Sequence, residues 1–304
     1  MISVSQIART LTLAMFSAAV LTMLAAGPAT ASLVARYHFE DNTNDSGGNN
    51  LHGDYGSWAT GSFVGGGTAT YYDSDTPYVG AGKSVNLLNG TDAINLTNSA
   101  LLNPSGAGAA LSFAAWVKVG TGAQNHMLIS RQGPSVAEQG YWLLANGPNN
   151  YTDVFFKQDT SGEYGTQNMV WDTSQQVANG GWVHVAGTID TDTGGSGDGH
   201  ARIYINGVME GTPGNGQWVQ NDPITQLNAA ASRTFLGSAD MQAGTLDGYM
   251  DDAAFFDHAL TASEIGNIMG GDFSAYPVVP EPSSILLLCS GLLSLVLIAR
   301  RRRR

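Results

Sequence analysis

Short runs in which large apolar side chains alternate with small or polar ones recur between residues 33 and 260, each bounded by Gly, Asn, Asp or Pro. Leu33-Val34-Ala35-Arg36-Tyr37-His38-Phe39 has the two-residue period of a half-buried strand. Ala110 to Val119, with Phe113, Trp116 and Val117 between flanking glycines, repeats it, as do Gly140 to Ala145, Thr152 to Lys157 and Trp182 to Ile189. Ala201 to Ile205 runs into Asn206-Gly207, a pair that tolerates φ > 0 and marks a tight hairpin with Val208-Met209-Glu210 returning. One stretch reads as helix. Thr261-Ala262-Ser263-Glu264 fits a capping box, Ile265, Ile268 and Met269 share a face, and Gly270-Gly271 ends it. Many short strands with polar turns and one small helix predict an all-β fold, a two-sheet sandwich of the jelly-roll type. No Pro/Ser linker and no internal period interrupts the middle of the chain, so residues 32–276 form one predicted domain; the Gly-, Ser- and Asp-rich stretch from Asp190 to Gly199 is a surface loop.

The two ends follow a different pattern. Residues 1–31 carry Arg9, an apolar run from Leu11 to Ala26, Gly27-Pro28 and then Ala29-Thr30-Ala31, the small residues a signal peptidase accepts. This predicts a signal peptide cleaved after Ala31, the alternative being an uncleaved anchor. Residues 277–304 contain Pro280-Glu281-Pro282, an apolar span from Ile285 to Ala299 and five terminal arginines, Arg300 to Arg304. Fifteen helical residues span roughly 22 Å, short of a hydrocarbon layer of about 30 Å, a gap that snorkelling arginines and local thinning cover. The arginines stay cytoplasmic, which leaves the domain outside the inner membrane. Cys289 lies inside the apolar span and reads as a small buried residue; as the single cysteine of the chain it excludes an intrachain disulfide framework.

Composition sharpens the picture. Only 12% of residues are charged and 39 are Gly, where average chains have about 25% and about 7%. Residues 32–279 hold 7 basic and 24 acidic side chains, a net charge near −17. Nucleic acid, whose binding needs phosphates neutralised, is excluded as a partner. Cations are the better match.

Calcium takes six to eight hard oxygens. Asp41, Asn44 and Asp45 concentrate such oxygens just after the first strand, and Asp251 and Asp252 do so near the last. First and last strands lie side by side in sandwiches of this kind, so the two clusters are expected to meet around one structural calcium ion. The competing reading makes Asp45-Ser46-Gly47 a turn and has strand alternation bury just one of Asp251 and Asp252 in backbone hydrogen bonds.

Sugar rings stack on aromatic faces. Trp58, Tyr71, Tyr72, Trp142, Tyr151, Trp171 and Trp218 are candidates, with Trp58 and Trp218 foremost because they fall in polar or Gly-rich stretches that read as loops. Trp116 and Trp182 sit in core-patterned strands and read as structural. His184 and His38 read as buried, hydrogen-bonded core histidines. A glycoside hydrolase needs two carboxylates across the scissile bond, and on a sandwich these usually alternate along one strand as E-x-D-x-E. The domain has five Glu (Glu40, Glu138, Glu163, Glu210, Glu264), none in such a pattern, and no G-x-S-x-G or H-E-x-x-H. No catalytic residue is predicted.

Two resemblances rest on these residues. Pro280-Glu281-Pro282, the apolar span and the arginine cluster resemble the PEP-CTERM sorting signal of Gram-negative bacteria that make extracellular polysaccharide. That resemblance implies cleavage near the motif by an exosortase and delivery to the cell surface or extracellular matrix. Leu33 to Phe39 with Asp41 to Gly47, Ser112 to Lys118, Trp182 to Ala186, Ile203 to Gly207, Phe235-Leu236-Gly237, Leu246 to Asp252 and Ala259 to Ile265 resemble, in order, the pieces of a laminin-G-like, concanavalin A-like domain. The expectation is an exported, non-catalytic recognition or matrix protein that binds polysaccharide or matrix proteins. Its rivals are a carbohydrate-active enzyme of the same fold and a purely structural surface component.

Overall fold

The computed structural model describes residues 32–277 apart from 68–74, 79–81, 89, 121–124, 134, 136–137, 147–150, 158–166, 173–176, 178–179, 192–200, 211–225, 231 and 241–243. The strands in chain order are β1 (Leu33–Tyr37), β2 (Gly53–Ala59), β3 (Ser62–Gly65), β4 (Val85–Asn86), β5 (Asp92–Leu96), β6 (Ala110–Val119), β7 (Asn125–Gln132), β8 (Gln139–Asn146), β9 (Tyr151–Lys157), β10 (Gln167–Asp172), β11 (Trp182–Asp190), β12 (Ala201–Ile205), β13 (Val208–Glu210), β14 (Phe235–Leu236) and β15 (Gly248–Phe256). Among the described residues one α-helix, α1 (Ala262–Met269), follows β15. Sheet I runs β1-β15-β6-β11-β12-β13, with β4 also on β15, and sheet II runs β10-β9-β8-β7-β14-β5-β2-β3. All pairings are antiparallel. The described residues therefore form an all-β two-sheet sandwich with a short helix.

Alternation builds the core between the sheets. From sheet I come Phe113, Ala115, Val117, Val185, Ile203 and Phe255; from sheet II come Ile94, Leu128, Tyr141, Leu143, Val154 and Phe156. Their neighbours in sequence point to the outer faces, as a two-residue period requires, except in β7, where a register shift between Met127 and Ile129 puts both Leu128 and Ile129 in the core. At the β12–β13 hairpin Asn206 and Gly207 take φ of 51° and 77°, as the Asn-Gly pair predicts. At α1 the Thr261 side chain accepts from the Glu264 backbone while the Glu264 carboxylate accepts from the Thr261 backbone, and Ile265 and Ile268 are buried.

Near the end of the chain, β15 departs from simple alternation. Its register against β6 jumps between Asp251, opposite Trp116, and Ala254, opposite Ala114. Met250 and Ala253 face the core, and Asp252 absorbs the extra residue with φ of 46°. Both Asp251 and Asp252 thus stand on the outer face of sheet I beside Trp116, correcting the reading that alternation buries only one of them.

Candidate functional site

β1 pairs directly with β15, with Tyr37 opposite Ala253, so the first and last strands do bring their acids together. The meeting is organised by Arg36. Its backbone N–H donates to Asp45 Oδ1 at 3.0 Å, and its Nε and Nη2 donate to Asp252 Oδ1 at 3.1 and 2.9 Å. Asp45 is buried and also accepts from the backbone of Gly47 at 2.7 Å, Asn49 at 3.1 Å and Leu51 at 3.1 Å. Four N–H groups therefore hold Asp45 as the organiser of its turn. Asp252 further receives His38 Nδ1 at 2.9 Å and the Tyr78 hydroxyl at 3.1 Å.

The expected calcium donors are thus differently occupied. Asp41 is exposed and paired with Lys83 Nζ at 2.5 Å, and exposed Asn44 donates its backbone N–H to Asn42 Oδ1 at 2.9 Å. Asp41, Asn44, Asp45, Asp251 and Asp252 do not form a common oxygen cage in this arrangement, and no cluster of three or more His, Cys, Asp or Glu suited to a metal occurs among the described residues. The Arg36 guanidinium supplies the positive charge that faces Asp252.

The acids carry unequal charge. Burial, then the neighbouring Asp252 charge, pushes Asp251 up to about 8, so its carboxyl is protonated at neutral pH; the Asp252 backbone N–H it accepts at 2.8 Å only partly opposes this. Burial works against the Asp252 charge too, but the His38 hydrogen bond and the Arg36 guanidinium hold its carboxyl below the usual range. His184 packs against Trp116 with ring centroids 5.4 Å apart, and burial pulls it down to about 4 against the Asp252 charge. It is buried as expected, but on the outer face, and its Nδ1 has no hydrogen-bond partner among the described residues. His38 is not a core residue: its side chain is 39% exposed. Trp116 and Trp182 also lie on the outer face, half-buried. Trp116 Nε1 donates to the Tyr78 hydroxyl at 3.0 Å and to the Met269 carbonyl at 3.2 Å, which ties the end of α1 to the sheet, and Trp182 Nε1 donates to Asp75 at 2.9 Å.

Sheet II carries the aromatics. Trp58 is not in a loop: it lies in β2, buried against Phe235 and Phe63 at centroid distances of 5.6 and 5.8 Å, and its Nε1 donates to Ser238 Oγ at 2.9 Å. The two-residue period of Gly53–Ala59, hidden by its glycines and polar residues, explains the misreading. The chain reverses at Gly237 and folds back over β7, where Ser130 Oγ donates to the Ser238 carbonyl at 2.7 Å and Ala239 packs on Met127, Leu144 and Trp142. Trp142 remains half-buried. One of its faces stacks on Phe155 at 3.6 Å, nearly parallel, and its Nε1 donates to Asp153 Oδ1 at 2.7 Å. Burial raises Asp153 to about 7, opposed by that indole hydrogen bond. Asp153 is itself buried and fixes the indole edge, so what this part of the outer sheet face offers a pyranose is the exposed part of the Trp142 ring.

Trp218, Tyr71, Tyr72 and Glu163 lie outside the described residues, as do Ala31, Pro280, Glu281, Pro282 and the span 285–299; Tyr151 and Trp171 belong to β9 and β10, but their side chains are also outside. Among the described residues no helix is long and apolar enough to cross a membrane. Sequence reasoning missed Arg36, Tyr78 and Asp153. Charged residues at Arg36 and Asp153 inside apolar strands were the available signal; Tyr78 had none.

Residues 88–266 match a family model described as the concanavalin A-like lectin/glucanases superfamily, and residues 278–304 match the PEP-CTERM protein-sorting motif. No curated protein matches the chain. Among solved structures, domain 4 of AbnA, a GH43 extracellular arabinanase from Geobacillus stearothermophilus in complex with arabinotriose, is 21% identical with a TM-score of 0.50, over 79% of this chain and 99% of that one. The binding domain of Paraclostridial Mosquitocidal Protein 1 is 14% identical with a TM-score of 0.54, over 79% of this chain and 52% of that one. The botulinum neurotoxin serotype G binding domain is 13% identical with a TM-score of 0.53, over 81% and 54%. The chain spans about half the length of the two toxin domains. At these identities the likeness is one of fold.

Proposed function

The chain belongs to the concanavalin A-like lectin/glucanases superfamily and carries a PEP-CTERM sorting motif, and from that footing we propose that it is an exported, non-catalytic protein that recognises glycan at the cell surface or in the extracellular matrix. The observation that carries the reading is Trp142, half-buried on the outer face of sheet II with Asp153 hydrogen-bonded to its indole edge. Export begins with cleavage after Ala31. The precursor is then held through residues 285–299 with its arginines in the cytoplasm, until an exosortase-type enzyme cuts near Pro280-Glu281-Pro282. Two of the structural neighbours are binding domains of toxins and a third is a domain crystallised with arabinotriose, which supports a binding role.

The test is a binding screen of the exported, processed protein against immobilised polysaccharides, with native, Trp142→Ala and Trp58→Phe chains. The expected result is saturable binding that Trp142→Ala weakens about tenfold or more and Trp58→Phe leaves in place. Undiminished binding by Trp142→Ala overturns this site. Release of reducing or unsaturated sugar overturns the non-catalytic reading.

A further inference from the structure

The first described residue and the end of the last strand are joined at a seam. Ser32 N–H donates to Asp257 Oδ1 at 2.9 Å, and the Asp257 N–H returns a bond to the Ser32 carbonyl at 3.2 Å. One residue on, Leu33 N–H donates to the carbonyl of Pro277 at 3.0 Å, just ahead of the sorting motif. Between them Leu33 pairs with Phe256, which packs edge-on to Tyr276 at 5.0 Å. The exits toward both processing sites therefore leave from one edge of sheet I.

We propose that removal of residues 1–31 creates a charged N-terminus at Ser32 that docks on the Asp257 carboxylate and fastens the seam from which the sorting signal departs. The inference rests on the proposed cleavage after Ala31. In the precursor the Ser32 nitrogen is a neutral amide with one hydrogen to donate. Cleavage by water leaves a carboxylate on Ala31 and an amine on Ser32 that is an ammonium at neutral pH, already within hydrogen-bond distance of a carboxylate that carries the opposite charge. The charged and titratable groups facing this pair are His258, whose Nδ1 lies 3.5 Å from Asp257 Oδ1, and Glu264, 3.8 Å from His258 Nε2. Asp257 is 42% exposed, so Asp257→Asn leaves the core untouched and the pair is a modest, salt-screened one.

The full chain is exported with its own signals, and the processed protein is analysed by N-terminal sequencing. Its α-amine is then titrated by NMR after reductive ¹³C-methylation, which preserves the charge. The expected N-terminus is Ser32. The expected amine titrates above the ordinary range of about 7.7–8.0 in the native protein and within it in Asp257→Asn. Native protein melts about 1–3 °C above Asp257→Asn at pH 7, the two converge as pH rises past the titration of the amine, and His258→Gln keeps the native gap at pH 7. A different N-terminus overturns the cleavage reading and the docking with it. A Ser32 terminus whose amine titrates alike in native and variant protein overturns the docking alone.

Discussion

Arg36 and Asp252 form the join between the first and last strands: the guanidinium gives two bonds to Oδ1, at 3.1 and 2.9 Å, and lies over Phe273 with its carbon 3.5 Å from the ring centroid. Removing one partner of a buried pair strands the other. Arg36→Ala is therefore expected to destabilise the domain by about 3–5 kcal/mol, and Asp252→Asn added to it to recover part of the loss. Urea unfolding of the two single variants and the double variant measures this, with a coupling of about 1 kcal/mol or more expected.

The same join bears on calcium. Asp45 accepts from four backbone N–H groups and Asp252 from Arg36, His38 and Tyr78, so these two carboxylates are already engaged without an ion. Melting of the processed protein is expected to be the same, within about one degree, in millimolar calcium and in chelator. A calcium-dependent rise that vanishes in Asp252→Asn would show that the donors give way.

Asp251 makes stability fall as pH rises. Its folded pKa of about 8 lies above the ordinary 3.8, so the folded state holds the proton more tightly, and the stabilisation present below pH 4 is lost between pH 4 and pH 8. Asp251→Asn removes the charge that burial and Asp252 oppose. It is expected to leave stability at pH 4 nearly unchanged and to raise it at pH 8 by about 1–3 kcal/mol, flattening the profile. Asp153, at about 7, contributes with the same sign. His184 has the opposite sign: held neutral with a pKa of about 4, it costs stability as pH falls from 6.5 toward 4. Chemical denaturation across pH 4–9 separates these terms through Asp251→Asn and His184→Gln.

What the sequence made legible depended on how local each signal was. The strand at Ala110–Val119, the Asn206-Gly207 hairpin and the Thr261–Glu264 capping box are written in a few adjacent residues and appear where the patterns put them. The aspartate arrangement is not local. That Asp45 and Asp252 share Arg36 depends on a pairing between strands more than 200 residues apart, and on a bulge at Asp252 where the register against β6 jumps. The burial of Trp58 is hidden in the sequence for a related reason: what covers it, Phe235 and Ser238, arrives from the far end of the chain. Asp153 had a visible signal, a charge inside an apolar strand, but its meaning came only with Trp142 on the neighbouring strand.

The close approach of the two sheets at Gly187 yields the last prediction. Gly187 lies in β11 between core-facing Val185 and Ile189, at the position where alternation aims a side chain inward. A Cβ there would stand 2.5 Å from Val154 Cγ2 of the opposite sheet and 2.6 Å from the Phe113 ring, closer than packed carbons come. Alanine costs the unfolded chain some entropy, a gain of about 0.4–1 kcal/mol, but the clash falls in a close-packed interior whose neighbours are fully buried. Overpacking of this kind costs about 1–3 kcal/mol, so Gly187→Ala is expected to destabilise on balance. Because Val154 is the first atom met, the combination with Val154→Ala should lose less than the two single losses added together. Thermal melts of the three variants decide it: strict additivity would mean that the sheets move apart as rigid layers, without local contact between residues 154 and 187.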